Sequence, residues 1–365
     1  LFWREKGWSM HYNFFNLQNK DCTCEFSADF TSQKVYLFRL FNENINIVVS
    51  NFGGSLNSVF VKDKNGQYHD VVLCYDNPDD CNNDDRHFLG LQLGRCANLI
   101  SKGQFFFKNS VYDLDKNYKG NFYNGGFFPF GHRFFAVEKF TLDEVTFSLL
   151  SHDGDQGFPG NLDIEITYHL LENGFEIIYS AISDTDTICN LSTRNFFNLN
   201  GEGKSNILNH KLKINADYYL PINETLLPKE YIASVKNTPM DFTNFKRIGK
   251  DIYSDFETIK NGNGFTCYYP TDSRYSSSDL NEIIELQGDI SGITMKIYTD
   301  YPGVFVYTAS YVNNLAGKNN HVYNKYDGVA FIPQFFPNAI NVPYFEQPVI
   351  EKDKRYIKKV RYLFS

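Results

Sequence analysis

A chain of 365 residues, 42% hydrophobic and 21% charged, is long enough to bury a substantial core, and a large all-β fold can use that length as one unit. Its net charge of −8, without a long basic run, argues against nucleic acid or an anionic membrane as a partner. No apolar run approaches the roughly 18 residues of a membrane span. Aromatic residues reach 17%, with 35 Phe and 25 Tyr against 3 Met, which suits sheet packing first and sugar faces second. Of the seven cysteines, Cys22 and Cys24 are spaced too closely for a zinc knuckle. Cys74 and Cys81 bracket a polar loop that a disulfide would clip. Cys96, Cys189 and Cys267 lie in apolar stretches and are expected as buried free thiols. The sequence begins at Leu1, which fits a removed secretory leader or a trimmed chain. With the sequon at Asn223 and the Cys74–Cys81 clip, this gives secretion as the expected compartment, cytoplasm being the alternative. The second sequon, Asn190, falls in an expected central strand, where a glycan would not fit.

Residues 1–34 show no clean periodicity, yet Trp3, Trp8, Phe14 and Phe15 are too apolar for a free tail. This arm is expected to lie along the main unit, 35–365, or to dock onto a partner or a second copy. Strands are predicted at 35–41, 45–50, 56–61 and 71–75. The loop 77–85 is crowded with Asp and Asn, but its spacing matches no calcium loop, so it reads as solvated and no metal is expected. Then come Leu91-Gln-Leu-Gly-Arg-Cys-Ala-Asn-Leu-Ile-Ser-Lys-Gly103 and Tyr123-Asn-Gly-Gly126. His132, a few residues on, is the titratable group of this region suited to neutral pH, although a lone loop His is more often just solvated. The segment 151–160 reads as a turn between strands, and 162–169 and 175–181 alternate well enough to pair. Asn190-Leu-Ser-Thr-Arg-Asn-Phe-Phe-Asn-Leu-Asn-Gly201 reads as a strand with one face on a wet cleft and the other on the core, closed by an Asn-Gly turn. Tyr218-Tyr-Leu-Pro-Ile-Asn-Glu-Thr-Leu-Leu-Pro228, Gly264-Phe-Thr-Cys267, Tyr301-Pro-Gly-Val-Phe-Val-Tyr-Thr308 and Ile332-Pro-Gln-Phe-Phe-Pro-Asn338 follow, and 356–364 is a final strand.

In this order the motifs resemble those of the aldose 1-epimerase (galactose mutarotase) family over about residues 35–365. The family hallmark Asn-Leu-Thr-Asn-His-Ser-Tyr-Phe-Asn-Leu is matched at Asn190, Leu191, Phe197, Asn198 and Leu199. Its Gly-Arg-Val-Ala-Asn-Arg-Ile segment is matched at Gly94, Arg95, Ala97, Asn98 and Ile100. The resemblance implies an all-β fold, a large antiparallel sandwich, with no cofactor. It also implies where the chemistry should lie, and there the chain departs. Arg194 stands at the family's catalytic His and Ile332 at its catalytic Glu. Leu99, Asn124, Thr266 and Tyr301 stand where the family holds sugar with Arg, His, Asp and Gln.

Mutarotation needs a base for the anomeric hydroxyl and an acid for the ring oxygen, each with a pKa workable near neutrality. Isoleucine has no exchangeable side-chain proton, and arginine keeps its proton to above about pH 12. The expected function is therefore carbohydrate recognition without normal turnover, through Asn98, Asn124, Arg194, Thr266, Tyr301 and Gln334. An active epimerase with rearranged groups such as His132, and an assembly protein working through the aromatic arm, are the alternatives.

Overall fold

Over Leu162–Leu171 every second residue is apolar, so Leu162, Ile164, Ile166, Tyr168 and Leu170 are buried while Asp163 and Glu165 face water. Each such side chain taken from water contributes roughly 1.5–3 kcal/mol, which fixes the face and hence the register. The strand turns back as Gly174–Ser183, pairing from Leu171 opposite Gly174 to Leu162 opposite Ser183. Gly174 is required there, because a Cβ would lie 2.0 Å from the carbonyl oxygen of Tyr362 on the next strand, Tyr356–Phe364. This meander is the centre of a sheet that, among the described residues, has nine antiparallel strands.

The computed structural model describes residues 24–30, 33–77, 80–81, 84, 86–271 and 280–365, with side-chain surroundings from Lys34 onward. Two further antiparallel sheets flank the nine-stranded one. The first carries Cys24–Phe30, Gln33–Phe41, Ile45–Ser50, Leu56–Lys62 and Tyr68–Asp70. The second, central sheet carries Thr266–Pro270, Gly303–Tyr307, Val329–Pro333, Phe196–Phe197 and Val72–Leu73. The all-β sandwich expected from sequence is what the chain forms, and the predicted strands 45–50 and 356–364 recur with the same bounds. Residues 162–169 and 175–181 pair as expected, each strand running slightly longer. Most of the expected arm, 1–23, lies outside the described residues, whereas Cys24–Phe30 pairs with Gln33–Phe41.

The central sheet shows why one cleft exists. In its cross-strand row Thr266 lies opposite Tyr307, Tyr307 opposite Ala330, and Ala330 opposite Phe196. The next row of the same face pairs Phe305 with Ile332. The other face carries Cys267, Val304, Val306, Val329, Phe331 and Phe197, all in the main hydrophobic core shared with the other two sheets. One face is thus committed to the main core, while the opposite face packs in part on the secondary cluster, through Phe196, Tyr307, Ala330 and Ile332, and also floors a cavity.

Two expectations are corrected. Cys74 and Cys81 form no disulfide; both are buried free thiols packed in a secondary core with Leu73, Tyr75 and Phe88. Desolvation pushes the Cys74 thiol up to about 11 and Cys81 well above its ordinary value, so both stay protonated. One of the three supports for secretion is thereby removed. Cys96, Cys189 and Cys267 are buried free thiols, as expected. The stretch 190–201 is also not one strand. Ser192–Thr193 pairs with Gln92–Leu93, and Phe196–Phe197 joins the central sheet, so the chain changes partners at Arg194. There the Arg194 N–H donates to the Leu91 carbonyl and its carbonyl accepts from Gly90, each at 3.0 Å.

The turn after Phe197 is held from outside. His210, with no solvent exposure, accepts the Leu199 N–H at Nε2 (3.0 Å) and donates Nδ1–H to Asp289 (3.0 Å). Burial draws its pKa down to about 4 against the pull of Asp289, since the imidazolium would lose the Leu199 bond and its hydration. The folded value lies below the unfolded one, so this contribution is whole above about pH 6.5 and is lost as pH falls to about 4. Its size is on the order of 3 kcal/mol. Urea unfolding between pH 7 and 4 should therefore show a loss of stability that His210→Gln abolishes; an unchanged slope in that variant would assign the acid sensitivity elsewhere.

Candidate functional site

Above the free face of the central sheet lies a cavity of about 200 Å³. Its floor is Thr266, Phe305, Tyr307, Ile332 and Gln334, which are the residues the strand alternation turns away from the core. Arg194 lies two residues before Phe196, which sits opposite Ala330, and Ile332 lies two residues beyond Ala330. A wall is built by Asn98, Leu99, Tyr123 and Asn124. Here the Asn98 N–H donates to Asn124 Oδ1 (2.8 Å), and the Asn124 N–H donates back to the Asn98 carbonyl (3.1 Å). Gly125 makes this clasp feasible: its φ is +103°, and a Cβ would meet the Gly94 oxygen at 2.2 Å. Tyr118, Tyr311, Leu226, Arg86 and His87 complete the lining.

Arg194 is 6% exposed. Its Nη1 donates to the Arg86 carbonyl (3.0 Å) and to the Tyr123 hydroxyl. Its guanidinium stands 4.7 Å from the Tyr307 ring centroid and 5.5 Å from that of Phe196. Nε has no hydrogen-bond partner among the described residues, and neither has Oε1 of the buried Gln334, whose amide nitrogen donates to the Phe335 carbonyl (3.1 Å). Thr266 Oγ1 donates to the Gly262 carbonyl (3.1 Å). Burial raises the pKa of Tyr123 and Tyr307, with Arg194 opposing in both, so the phenols are neutral at physiological pH.

Five of the six sequence-predicted contacts, Asn98, Asn124, Arg194, Thr266 and Gln334, therefore meet in one cavity, along with Leu99 and Ile332. Tyr301 does not. It is 1% exposed in the main core, its hydroxyl donating to the Leu191 carbonyl (2.5 Å) and sharing a 2.9 Å bond with Tyr356. It precedes Gly303–Tyr307 on a turn, so strand alternation does not carry it to the cavity face. His132 does not line the cavity either; it is half-buried and stacks on Phe88, ring centroids 5.7 Å apart. The imidazole that does line it is His87, with Nδ1 3.4 Å from Asp84 Oδ1. Sequence reading did not single out His87, which lies between the Asp/Asn-rich loop 77–85 and the Leu91–Gly103 motif; its position just ahead of that motif was the available signal. Among the described lining residues there is no carboxylate. Nor do any three His, Cys, Asp or Glu of the described residues gather as metal ligands. A second, more open depression of about 460 Å³, by Asp217, Tyr218, Lys236 and Asp241, contains none of these positions.

An antiparallel β-sandwich with an amide- and aromatic-lined cleft over its central sheet defines the mutarotase-like class of folds. The profile of the aldose 1-epimerase family matches residues 36–363, and the chain belongs to that family. The galactose mutarotase of Mus musculus is 30% identical over 329 residues, 90% of this chain and 93% of that protein. The structure of a GalM/aldose epimerase homologue from C. elegans superimposes with a TM-score of 0.82 at 25% identity, covering 90% of this chain and 98% of that one. Galactose 1-epimerase from Lactobacillus acidophilus gives 0.81 at 25% identity, covering 94% and 98%.

Proposed function

We propose that this protein binds a sugar in the cavity above the central sheet and turns it over far more slowly than an epimerase equipped with the usual acid and base. The observation that carries the reading is that Arg194 and Ile332 line the same cavity, with no carboxylate among the described lining residues. Amide and hydroxyl groups at Asn98, Asn124, Thr266 and Gln334 suit sugar hydroxyls, and Tyr118, Tyr123, Tyr307 and Tyr311 offer ring faces. The cavity is smaller than the roughly 300–1,000 Å³ of sites for drug-sized ligands, which fits a single sugar ring. The wild-type chain should leave the polarimetric decay of fresh α-galactose and α-glucose at or near the buffer rate. A second reading, an active aldose 1-epimerase, is favoured by His87, whose imidazole lines the same cavity beside neutral tyrosines. A rate proportional to protein concentration that His87→Asn removes would establish it and retire the first.

A further inference from the structure

Among the described lining residues the ionisable groups, phenols apart, are all basic: Arg86 at the exposed rim, His87, and buried Arg194. Asp84 stands behind His87 and does not line the space. It is committed to the loop, accepting the N–H groups of Arg86 and His87 at 3.0 Å each and the Tyr75 hydroxyl. The chain as a whole is at −8, so two arginines without a carboxylate among the described lining residues run against the overall charge.

The contrast with Arg95 is instructive. Arg95 is 1% exposed and saturated, its three nitrogens donating to Ser151 Oγ and to the carbonyls of Ser151, His152 and Pro159 at 2.7–3.3 Å. Arg194 is nearly as buried, yet Nε is unpartnered among the described residues, and aromatic rings rather than a carboxylate surround it. A buried cation lacking a counterion is costly to hold, and aromatic faces offset only part of that cost. A planar guanidinium facing a cavity is suited to receive a carboxylate or phosphate in two-point fashion. Gln334 Oε1, on a residue of the same lining, is likewise unpartnered among the described residues.

We infer that the ligand of this cavity is a monosaccharide carrying an anionic group, a carboxylate or a phosphate, which pairs with Arg194 and is drawn in by Arg86. This rests on the sugar-binding reading above and narrows it. Calorimetric titration of the full chain with galactose, glucose, their uronates, their 6-phosphates, inorganic phosphate and acetate tests it. At least one acidic sugar should bind about tenfold to hundredfold more tightly than its neutral parent, with affinity falling as salt is added. The uronate and phosphate arms tell the two anions apart. Arg194→Gln should erase the preference and Arg86→Gln should reduce it, thermal unfolding showing that each variant is folded. Equal affinity for neutral and acidic sugars would overturn the inference and leave sugar binding standing. Inorganic phosphate or acetate binding as tightly as the acidic sugars would overturn it too, and the absence of binding by every sugar would remove both readings.

Discussion

The double variant Arg194→His, Ile332→Glu accelerates the mutarotation of α-galactose about 10²–10⁴-fold over the parent chain, as read by polarimetry at high sugar concentration. Both positions line the cavity, Arg194 two residues before Phe196 enters the central sheet opposite Ala330, and Ile332 two residues beyond Ala330. The expected single variants explain why two changes are needed. In Ile332→Glu alone, the new carboxylate beside Arg194 would be drawn into an ion pair, which keeps it ionised but lowers its basicity. In Arg194→His alone, the imidazole opposite Ile332 would be an acid with no base. The gain should therefore be strongly non-additive, neither single variant approaching the double. Leu99, Asn124 and Thr266 stand where the family resemblance implies Arg, His and Asp, so the gain should lie in turnover more than in affinity. Thermal unfolding should confirm that each variant is folded, because Ile332 is buried and a carboxylate there is costly. A folded double variant no faster than the parent would show that an acid and a base at these two positions are not what limits this chain.

Legibility of the site in the sequence followed the periodicity of each element. Thr266, Ile332 and Gln334 lie on or next to strands of the central sheet, where alternation decides which face a residue takes, so motif positions transferred to the cavity. Asn98 and Asn124 transferred because the glycines that shape their clasp, Gly94 and Gly125, are present in the motifs. Tyr301 failed because it lies on a turn, where a single change of backbone direction sends a large aromatic into the core. His87 was not singled out because it falls between loop 77–85 and the next motif, where its backbone N–H is held by Asp84 and its neighbour Phe88 packs in the secondary core. The Cys74–Cys81 bridge was inferred from spacing along the chain. Spacing carries no information on whether two thiols face one another, and here both join an apolar cluster.

Arg95→Ala destabilises the fold by about 3–5 kcal/mol, measured as the loss of urea-unfolding free energy at neutral pH. The side chain is fully buried beside Phe158, its guanidinium 5.9 Å from the ring centroid. Desolvation lowers its pKa to about 10, which leaves it charged, and Asp155 opposes that lowering. Asp155 is itself held by Arg133 through two contacts of 2.6 and 2.8 Å, and it accepts the Ser151 hydroxyl at 2.6 Å. Removing Arg95 strips donors from the Ser151 and His152 carbonyls and leaves a void under the 151–160 turn. Lysine keeps the charge but cannot span Pro159 and Ser151 at once, so Arg95→Lys should fall between wild type and Ala. Arg95→Met separates packing from polarity: if it matches wild type, the network contributes no net stability and volume alone matters. A cost below about 1 kcal/mol for Ala would refute the proposed role outright. The variant bears on the cavity as well, because Arg95 accepts the Asn190 N–H at its own carbonyl (3.1 Å) and lies three residues before Asn98. A loosened Arg95 should therefore weaken sugar binding together with the fold, whereas Arg194→Gln should erase the anion preference at a smaller cost in unfolding free energy.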